Sequence, residues 1–502
     1  MTEPLRHTLQ LANEAATARF AMDLAMAVQV NDVVTLSGEL GSGKSTLARA
    51  LVRALAEDEG LEVPSPTFAI IQPYDLRRFP VIHADLYRVI SPDEITELGW
   101  DDVSENALLL VEWPDRLGGA LSGDRLEIEL ALNTAQGSSA RTATVVGHGA
   151  WRDRLQRLLA LRVFIDNAGW AGATRRYLQG DASSRTYERL TDGSRRVVLM
   201  NAPRRPDGPP IRNGLPYSRI AHLAEDMVPF VAMAEGLRDA GLSSPEIEAI
   251  DLDQGFLLLE DLGSEGVVSN GAPIAERYTA AIDVLAHLHG RARSDTLGTP
   301  KGPYTLPAYD REALGAEVEL LLDWYIPRSQ ARIPASEKHV FLKHWADLFA
   351  EIEKAPKTWT LRDYHSPNLI WLATRDGIER VGLIDFQDAV MGPPAYDVVS
   401  LLQDARITVP EALELQLLSR YAAARRAADP NFDMASFARL YAILGAQRAT
   451  KLLGIFVRLD RRDGKPQYLA HIPRIWAYLQ RCLAHPALAQ VKRWVDDRVP
   501  PP

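Results

Sequence analysis

The stretch Gly38-Glu39-Leu40-Gly41-Ser42-Gly43-Lys44-Ser45-Thr46 restricts the fold of this chain more than any other. It fits the phosphate-binding pattern G-x-x-x-x-G-K-[ST] at every fixed position. The apolar run Asn31-Asp32-Val33-Val34-Thr35-Leu36-Ser37 precedes it and suits a buried strand. Leu47, Leu51 and Leu55 follow at helical spacing. Strand, glycine loop and helix in that order dictate an α/β sheet with the loop at a strand C-terminus. Gly38, Gly41 and Gly43 let the backbone turn tightly, so that its N–H groups point at phosphate. The helix beginning near Lys44 adds its positive end. Lys44 is placed to reach the β/γ-phosphates and Ser45 to hold Mg²⁺. Lys44 is also the only lysine among the first 300 residues, in a region whose other long cations are all arginine. A planar guanidinium does not replace a point-charge ammonium in such a cradle.

At 502 residues the chain has room for two or three domains, each with its own core. The apolar fraction of 46% and charged fraction of 24% are ordinary for a globular protein. No apolar run approaches the length of a membrane span, and Met1–His7 lacks the basic and apolar regions of a signal peptide. Cys482 is the single cysteine, which excludes an internal disulfide framework and a cysteine-based metal site. The expectation is a cytoplasmic protein without membrane association. Charge is uneven: residues 1–150 hold 11 basic and 22 acidic side chains, a balance of −11. Such a region is poorly suited to grip nucleic acid unaided, and a protein partner is the expected contact.

Along the first third, residues 8–30 have the spacing of one helix leading into the loop strand. Strands are expected at the apolar part of Val63–Tyr74, at Pro80–Arg88, at Ala107–Trp113, at Arg125–Leu130 and at Ala143–Val146. Asp85 and Glu112 close two of these strands, Glu112 in the form of a Walker B acid. Four pieces then occur in order: the phosphate loop, Ser65-Pro66-Thr67-Phe68, His83-Ala84-Asp85-Leu86-Tyr87-Arg88, and Val111-Glu112-Trp113. Together they resemble TsaE, the small ATPase family of bacterial tRNA threonylcarbamoyladenosine modification. The resemblance implies that Gly38, Gly41, Ser42, Gly43, Lys44, Ser45 and Thr46 bind ATP and that Ser45 and Glu112 hold Mg²⁺. It further implies that Asp85 and Glu112 act at the metal or attacking water, with Thr67 and Trp113 shaping the site. Implied partners are TsaD/TsaB-like subunits, with tRNA contacted only indirectly.

Trp151–Leu159 reads as an amphipathic helix that either closes the first domain or links it to the second. A new organisation begins near Leu161. Tyr187–Leu190 and Arg195–Met200 form a hairpin pattern across Thr191-Asp192-Gly193-Ser194, and Gly255–Gly263 is a buried strand with a polar exit. Beyond Pro273 most patterns are helical, including Tyr278–His289, Arg311–Tyr325 and Glu337–Ile352. Within them, Leu361-Arg362-Asp363 precedes Asn368 by the spacing of a kinase catalytic loop. Asp385 follows the apolar run Val381–Ile384, as the metal-binding Asp of D-F-G does. In that chemistry Asp363 accepts the proton of an attacking hydroxyl, and Asn368 and Asp385 hold Mg²⁺.

Gly180-Asp181-Ala182-Ser183, Leu199–Pro203, Phe256–Gly263, Leu306–Asp310, Ile384–Ala389 and Gly392–Asp397 together resemble the aminoglycoside-phosphotransferase superfamily. Within it they are most similar to the AmgK group, anomeric kinases of N-acetylmuramate and N-acetylglucosamine. Two departures from the kinase pattern stand out. No lysine lies in the expected N-lobe, Met200 standing near its place as it does in the AmgK group, so Ser183, Ser184 and Arg185 are assigned to the phosphates. Leu361 replaces the His of H-R-D. Glu260 and Leu262 are assigned to the ATP site on the same resemblance.

Other groups read as structural. His83, His287 and His289 lack metal-ligand spacing. Trp324 and Tyr325 read as core, with contact to a sugar face as the alternative; Arg425, Arg426, Arg458, Arg461 and Arg462 read as solvated faces, with anion binding as the alternative; Asp388 and Asp397 suit either substrate positioning or structural hydrogen bonding. The expectation is an α/β P-loop NTPase domain over 1–150 and a linker helix over 151–162. A two-lobed α+β kinase-like domain follows over 163–502, its N-lobe about 163–263 and C-lobe about 264–502. The expected function is an ATPase supporting tRNA modification fused to an amino-sugar kinase. Alternatives for the second half are a kinase of another small hydroxyl substrate (aminoglycoside, choline or homoserine) or a non-catalytic binding module.

Overall fold

The computed structural model describes all residues except 1–2, 91–93, 95–104, 118–122, 179–184 and 205. Gly180, Ser183 and Ser184, singled out in the sequence, lie outside the described residues. The chain forms two compact units, Met1–Asp181 with Tyr187–Leu199, and Ala182–Thr186 with Met200–Pro502.

The first unit is built on a seven-stranded sheet. Its elements in chain order are β1 (Leu5–Leu11), α1 (Glu14–Ala27), β2 (Val33–Ser37), α2 (Lys44–Ala56), β3 (Ile71–Tyr74), β4 (Val81–Asp85), β5 (Leu108–Glu112), β6 (Arg125–Leu132) and β7 (Arg141–His148). The strand order is β1-β7-β6-β2-β5-β4-β3. The centre, β6-β2-β5-β4, is parallel, and the flanking pairs β1-β7, β7-β6 and β4-β3 are antiparallel. β4 and β5 are buried at every position, as expected of central strands covered on both faces. Helices α1 and α2 supply one cover, through Phe20, Leu24, Leu47 and Leu51.

One expectation is corrected here. Residues 8–30 are not a single helix: Leu5–Leu11 pairs antiparallel with β7, from Leu5↔Gly147 to Leu11↔Arg141. The helix starts only after Asn13, whose side chain accepts the Ala16 N–H at 2.9 Å.

The amphipathic helix α3 runs from Trp151 to Asn167 and closes the first unit. Trp151, Leu155 and Leu158 enter the same core as β2 and α2. Arg154 on its polar side makes a two-pronged pair with Asp32, at 2.6 and 2.7 Å. After it, β8 (Thr174–Leu178), β9 (Thr186–Asp192) and β10 (Arg195–Asn201) follow in sequence as neighbours. Asp23 of α1 pairs with both Arg162 of α3 and Arg175 of β8, and Arg175 also grips Glu188 of β9 at 2.6 and 2.9 Å.

In the second unit, α4 (Tyr217–Ile220) and α5 (Val228–Asp239) precede the antiparallel pair β11 (Ile247–Asp251) and β12 (Phe256–Glu260). The helical part contains α6 (Ala275–His289), α7 (Arg311–Leu320) and α8 (Ala335–Lys354). Past α7 the chain continues as a π turn over Leu321–Tyr325. Four short strands come next: β13 (Thr358–Thr360), β14 (Leu369–Trp371), β15 (Val381–Leu383) and β16 (Val390–Gly392). They pair β13 with β16 and β14 with β15. Then come α9 (Ala395–Leu402), α10 (Glu411–Ala428), α11 (Met434–Asp463), α12 (Ile472–Leu483) and α13 (Ala489–Arg498). The 30-residue α11 is the core helix, packed by α7, α9 and α12. Tyr325 is core, stacked on Trp476 with ring centroids 6.3 Å apart.

Candidate active sites

The phosphate loop turns between β2 and α2. Gly38 has φ +131°, and a Cβ there would lie 2.2 Å from the Leu130 carbonyl oxygen. Gly43 caps α2 at φ +105°. No other residue type fits Gly38, on space and on backbone alike. Gly41, at φ +80°, is exposed at the loop tip. Ser42 is buried; its carbonyl accepts Arg141 Nε at 2.7 Å, and its Oγ has no partner among the described residues. Thr46 sits half-buried in the first turn of α2. The Lys44 ammonium donates to the carbonyls of Gly38 and Glu39, each at 2.9 Å, and lies 3.9 Å from the Trp113 ring centroid. Burial lowers its pKa from the usual value, with Glu112 and Asp85 opposing.

The register of β4 and β5 sets Asp85 beside Glu112. Ser45 Oγ donates to Glu112 Oε2 at 3.0 Å, and His83 Nε2 lies 3.0 Å from Glu112 Oε1. His83 and Glu112 side chains are each 1% exposed. Asp85 accepts from Thr67 at 3.0 Å, from Ser65 at 3.2 Å and from the Tyr87 N–H at 3.1 Å. His83 was read as structural, yet it is the residue that fixes the Glu112 carboxylate. Its signal lay in the sequence: a titratable side chain in a wholly apolar strand, two positions before Asp85.

The second site lies in the loops of the short strands. Asp363 and Asn368 occupy the β13–β14 loop, and Asp385 follows β15. Asn368 Nδ2 donates to the Asp363 carbonyl at 2.9 Å and to Asp385 Oδ2 at 3.4 Å. The three residues line one small pocket with Leu361, Leu369 and Phe386. Asp385 has φ +60° and accepts Gln387 Nε2 at 2.9 Å and Arg185 Nη1 at 3.1 Å. Phe386 stacks on Phe230 of α5, 4.9 Å between centroids. Glu260 is tied by its carboxylate to Arg375 and to the Glu246 N–H at 3.3 Å. Leu262 packs toward Gly382.

Asp363 is held by neighbours that sequence spacing did not disclose. Arg362, at φ +66°, turns its guanidinium into the interior. It donates to Glu317 Oε1 at 2.6 Å and to the Ala221 carbonyl at 2.8 Å. Glu317 is fully buried and also accepts from Tyr309, Gln447 and Lys451 at 2.5, 2.8 and 2.7 Å. Burial opposes its ionisation, but Lys451 and Arg362 hold it down at about 2. Burial likewise works against ionised Asp363, and His365, Lys451 and Arg362 outweigh it, so its pKa lies below the usual carboxylate value.

The bracing expected of the missing H-R-D histidine is supplied from elsewhere. The buried Asp397 carboxylate accepts the N–H groups of Leu361 and Arg362 at 2.7 and 2.9 Å. Asp388 is anchored by the Ala224 N–H at 2.7 Å. Among the described residues, no group of three or more His, Cys, Asp or Glu side chains suits a metal by itself.

Residues 11–142 match the family model described as threonylcarbamoyl adenosine biosynthesis protein TsaE, and residues 174–440 match the phosphotransferase enzyme family. An N-acetylmuramate/N-acetylglucosamine kinase of Caulobacter vibrioides is 40% identical over 69% of this chain and 97% of its own length. The kinase of the same name from Pseudomonas aeruginosa is 35% identical over 62% of this chain and 84% of its own. A tRNA threonylcarbamoyladenosine biosynthesis protein TsaE of Rickettsia typhi is 34% identical over 25% of this chain and 85% of its own.

Proposed function

The chain belongs to the N-acetylmuramate/N-acetylglucosamine kinase group of the phosphotransferase enzyme family through its C-terminal part and to the TsaE family through its N-terminal part, and from that premise we propose a bifunctional, cytoplasmic enzyme with two ATP sites. The C-terminal site phosphorylates the anomeric hydroxyl of N-acetylmuramate and N-acetylglucosamine. The N-terminal site hydrolyses ATP in support of tRNA threonylcarbamoylation, working on TsaD/TsaB-like subunits, with tRNA reached through them.

The observation that carries the kinase reading is the grouping of Asp363, Asn368 and Asp385 around one pocket. The exposed part of the Asp363 carboxylate takes the proton of the anomeric hydroxyl. The sugar oxygen forms a bond to the γ-phosphorus, the bond to the bridging β–γ oxygen breaks, and ADP leaves. The lowered pKa of Asp363 keeps its carboxylate ionised, so it orients the hydroxyl and takes the proton as the phosphoryl group transfers. Arg185, Glu260 and Leu262, with Ser183 and Ser184 beyond the described residues, are proposed for the nucleotide.

At the N-terminal site the left-handed glycines and the unpartnered Ser42 Oγ form a cradle suited to phosphate oxygens. The oxygen donors fit Mg²⁺: Ser45 with Glu112 in one site, Asn368 with Asp385 in the other. Bound there, Mg²⁺ supplies charge neutralisation for phosphoryl oxygens. Glu112 and Asp85 are the candidates to orient the attacking water. Lys44 contacts phosphate, and Trp113 walls the site.

The test is sugar phosphorylation by the full-length protein, with sugar 1-phosphate followed by ³¹P NMR. The wild type and Lys44→Ala should form it, and Asp363→Asn should not. Failure of the wild type on both sugars would sink the kinase reading. Normal tRNA modification in cells whose only copy carries Lys44→Ala would sink the N-terminal one.

A further inference from the structure

Beyond the catalytic loop, α11 carries Gln447, Lys451, Gly454 and Arg458 at spacings of four, three and four, which place them on one face. The first two end on Glu317. Gly454 lies where a Cβ would come within 2.4 Å of the Leu320 backbone, so α7 and α11 touch there. Arg458 is the next residue of the same face, two turns or roughly 10 Å beyond Lys451. From sequence it reads as part of a solvated face with Arg461 and Arg462, anion binding being the alternative. Those two are exposed, but Arg458 is partly buried, its guanidinium 4.6 Å from the Tyr217 ring centroid.

Three features describe the setting of Arg458. Its Nε is buried and has no hydrogen-bond partner among the described residues. Among the described residues no carboxylate forms an ion pair with it; Asp463 nearby is engaged by Arg462 at 2.8 and 2.9 Å. Burial lowers its pKa and Arg462 adds to the depression, while Tyr217, through charge and a side-chain hydrogen bond, and Asp463 oppose it. Arg362, Lys451 and Arg458 all act on Tyr217, where Glu317 opposes them. A half-desolvated guanidinium with an unused edge is a receptor for a planar anion.

The chain from Tyr217 also leads to the reaction centre. Four residues on, the Ala221 carbonyl holds Arg362, the neighbour of Asp363, and the Ala224 N–H holds Asp388. One short segment thus runs from the Tyr217 ring under Arg458 to the backbone groups that hold Arg362 and Asp388. The two sugars named for the relatives differ by one group: N-acetylmuramate carries a lactyl ether with a carboxylate, and N-acetylglucosamine has a free hydroxyl in its place.

We propose that Arg458, seated on Tyr217, receives the lactyl carboxylate of N-acetylmuramate and so sets the preference between the two sugars. This rests on the amino-sugar kinase reading above. The test uses the full-length protein with ATP and each sugar in turn. In Arg458→Gln the ratio of kcat/KM for N-acetylmuramate over N-acetylglucosamine should fall at least about ten-fold, mostly through KM, with part restored in Arg458→Lys. A second measurement needs no variant: the methyl ester of N-acetylmuramate should lose a similar factor with the wild type. It should also match the free acid in Arg458→Gln. An unchanged ratio, or a wild type indifferent to esterification, would overturn the assignment while leaving the kinase reading intact. A wild type active on neither sugar overturns both.

Discussion

At the residue scale, two side chains carry the proposed chemistry and give direct tests. Lys44→Ala removes the only ammonium at the phosphate loop, and ATP hydrolysis measured as phosphate release should fall at least about 100-fold. Asp363→Asn keeps the loop hydrogen bonds, which run through its backbone, but cannot accept a proton. Its kcat should drop by about 100- to 10,000-fold, with KM for ATP little altered. A third residue speaks to stability. His289 is buried, with Nδ1 2.9 Å from the Tyr421 hydroxyl, and burial lowers its pKa to about 3. The unfolded chain therefore binds a proton there below about pH 6.5 that the native state refuses. The stability from His289 is present above that pH and lost as pH falls toward 3, at up to about 1.4 kcal/mol per pH unit. Asp397, raised to about 7 by burial, acts with the opposite sign between about pH 4 and 7. The diagnostic is thus a difference: denaturant midpoints between pH 7.5 and 5 should fall less in His289→Gln than in the wild type. Equal slopes would contradict it.

At the scale of elements, the parts that local pattern specifies are those the sequence discloses. The strand–loop–helix around Lys44 and the ordered pieces from Asp363 to Asp385 are written contiguously, and their spacing carries them. What sequence reading missed is long-range. Leu5–Leu11 becomes a strand because β7 offers an edge more than 130 residues away; its alternation was submerged in an alanine-rich run. Glu317 looks like one acid of an amphipathic helix. It becomes the anchor of Arg362 only when α7 crosses α11 and presents Gln447 and Lys451. That crossing has its own test. Gly454→Ala places a methyl against the Leu320 backbone, which cannot move aside as a side chain would. A loss of about 1–3 kcal/mol in urea unfolding is expected, and a neutral result would mean that α7 and α11 separate more readily than their packing implies.

At the scale of the whole molecule, α3 decides where the chain can be cut. A fragment ending at residue 150 loses Trp151, Leu155 and Leu158 from its core, each worth roughly 1.5–3 kcal/mol when buried. It should melt well below a fragment ending at residue 169, as read by circular dichroism. Asp23 adds a second seam, since Arg162 and Arg175 both end on it and Arg175 is buried. Asp23→Asn leaves Arg175 to Glu188 alone and should cost about 1.5–3 kcal/mol. By itself the sequence determined the two fold classes, their order, and the loops bearing Lys44, Asp363 and Asp385, because glycine conformations, strand periodicity and motif spacing are local properties of the chain. Only the tertiary structure decided which side chains hold those loops: His83 on Glu112, Asp397 under Leu361 and Glu317 beneath Arg362. Each partner there is distant in sequence, and burial, not residue type, turns an ordinary acid, histidine or arginine into part of a site.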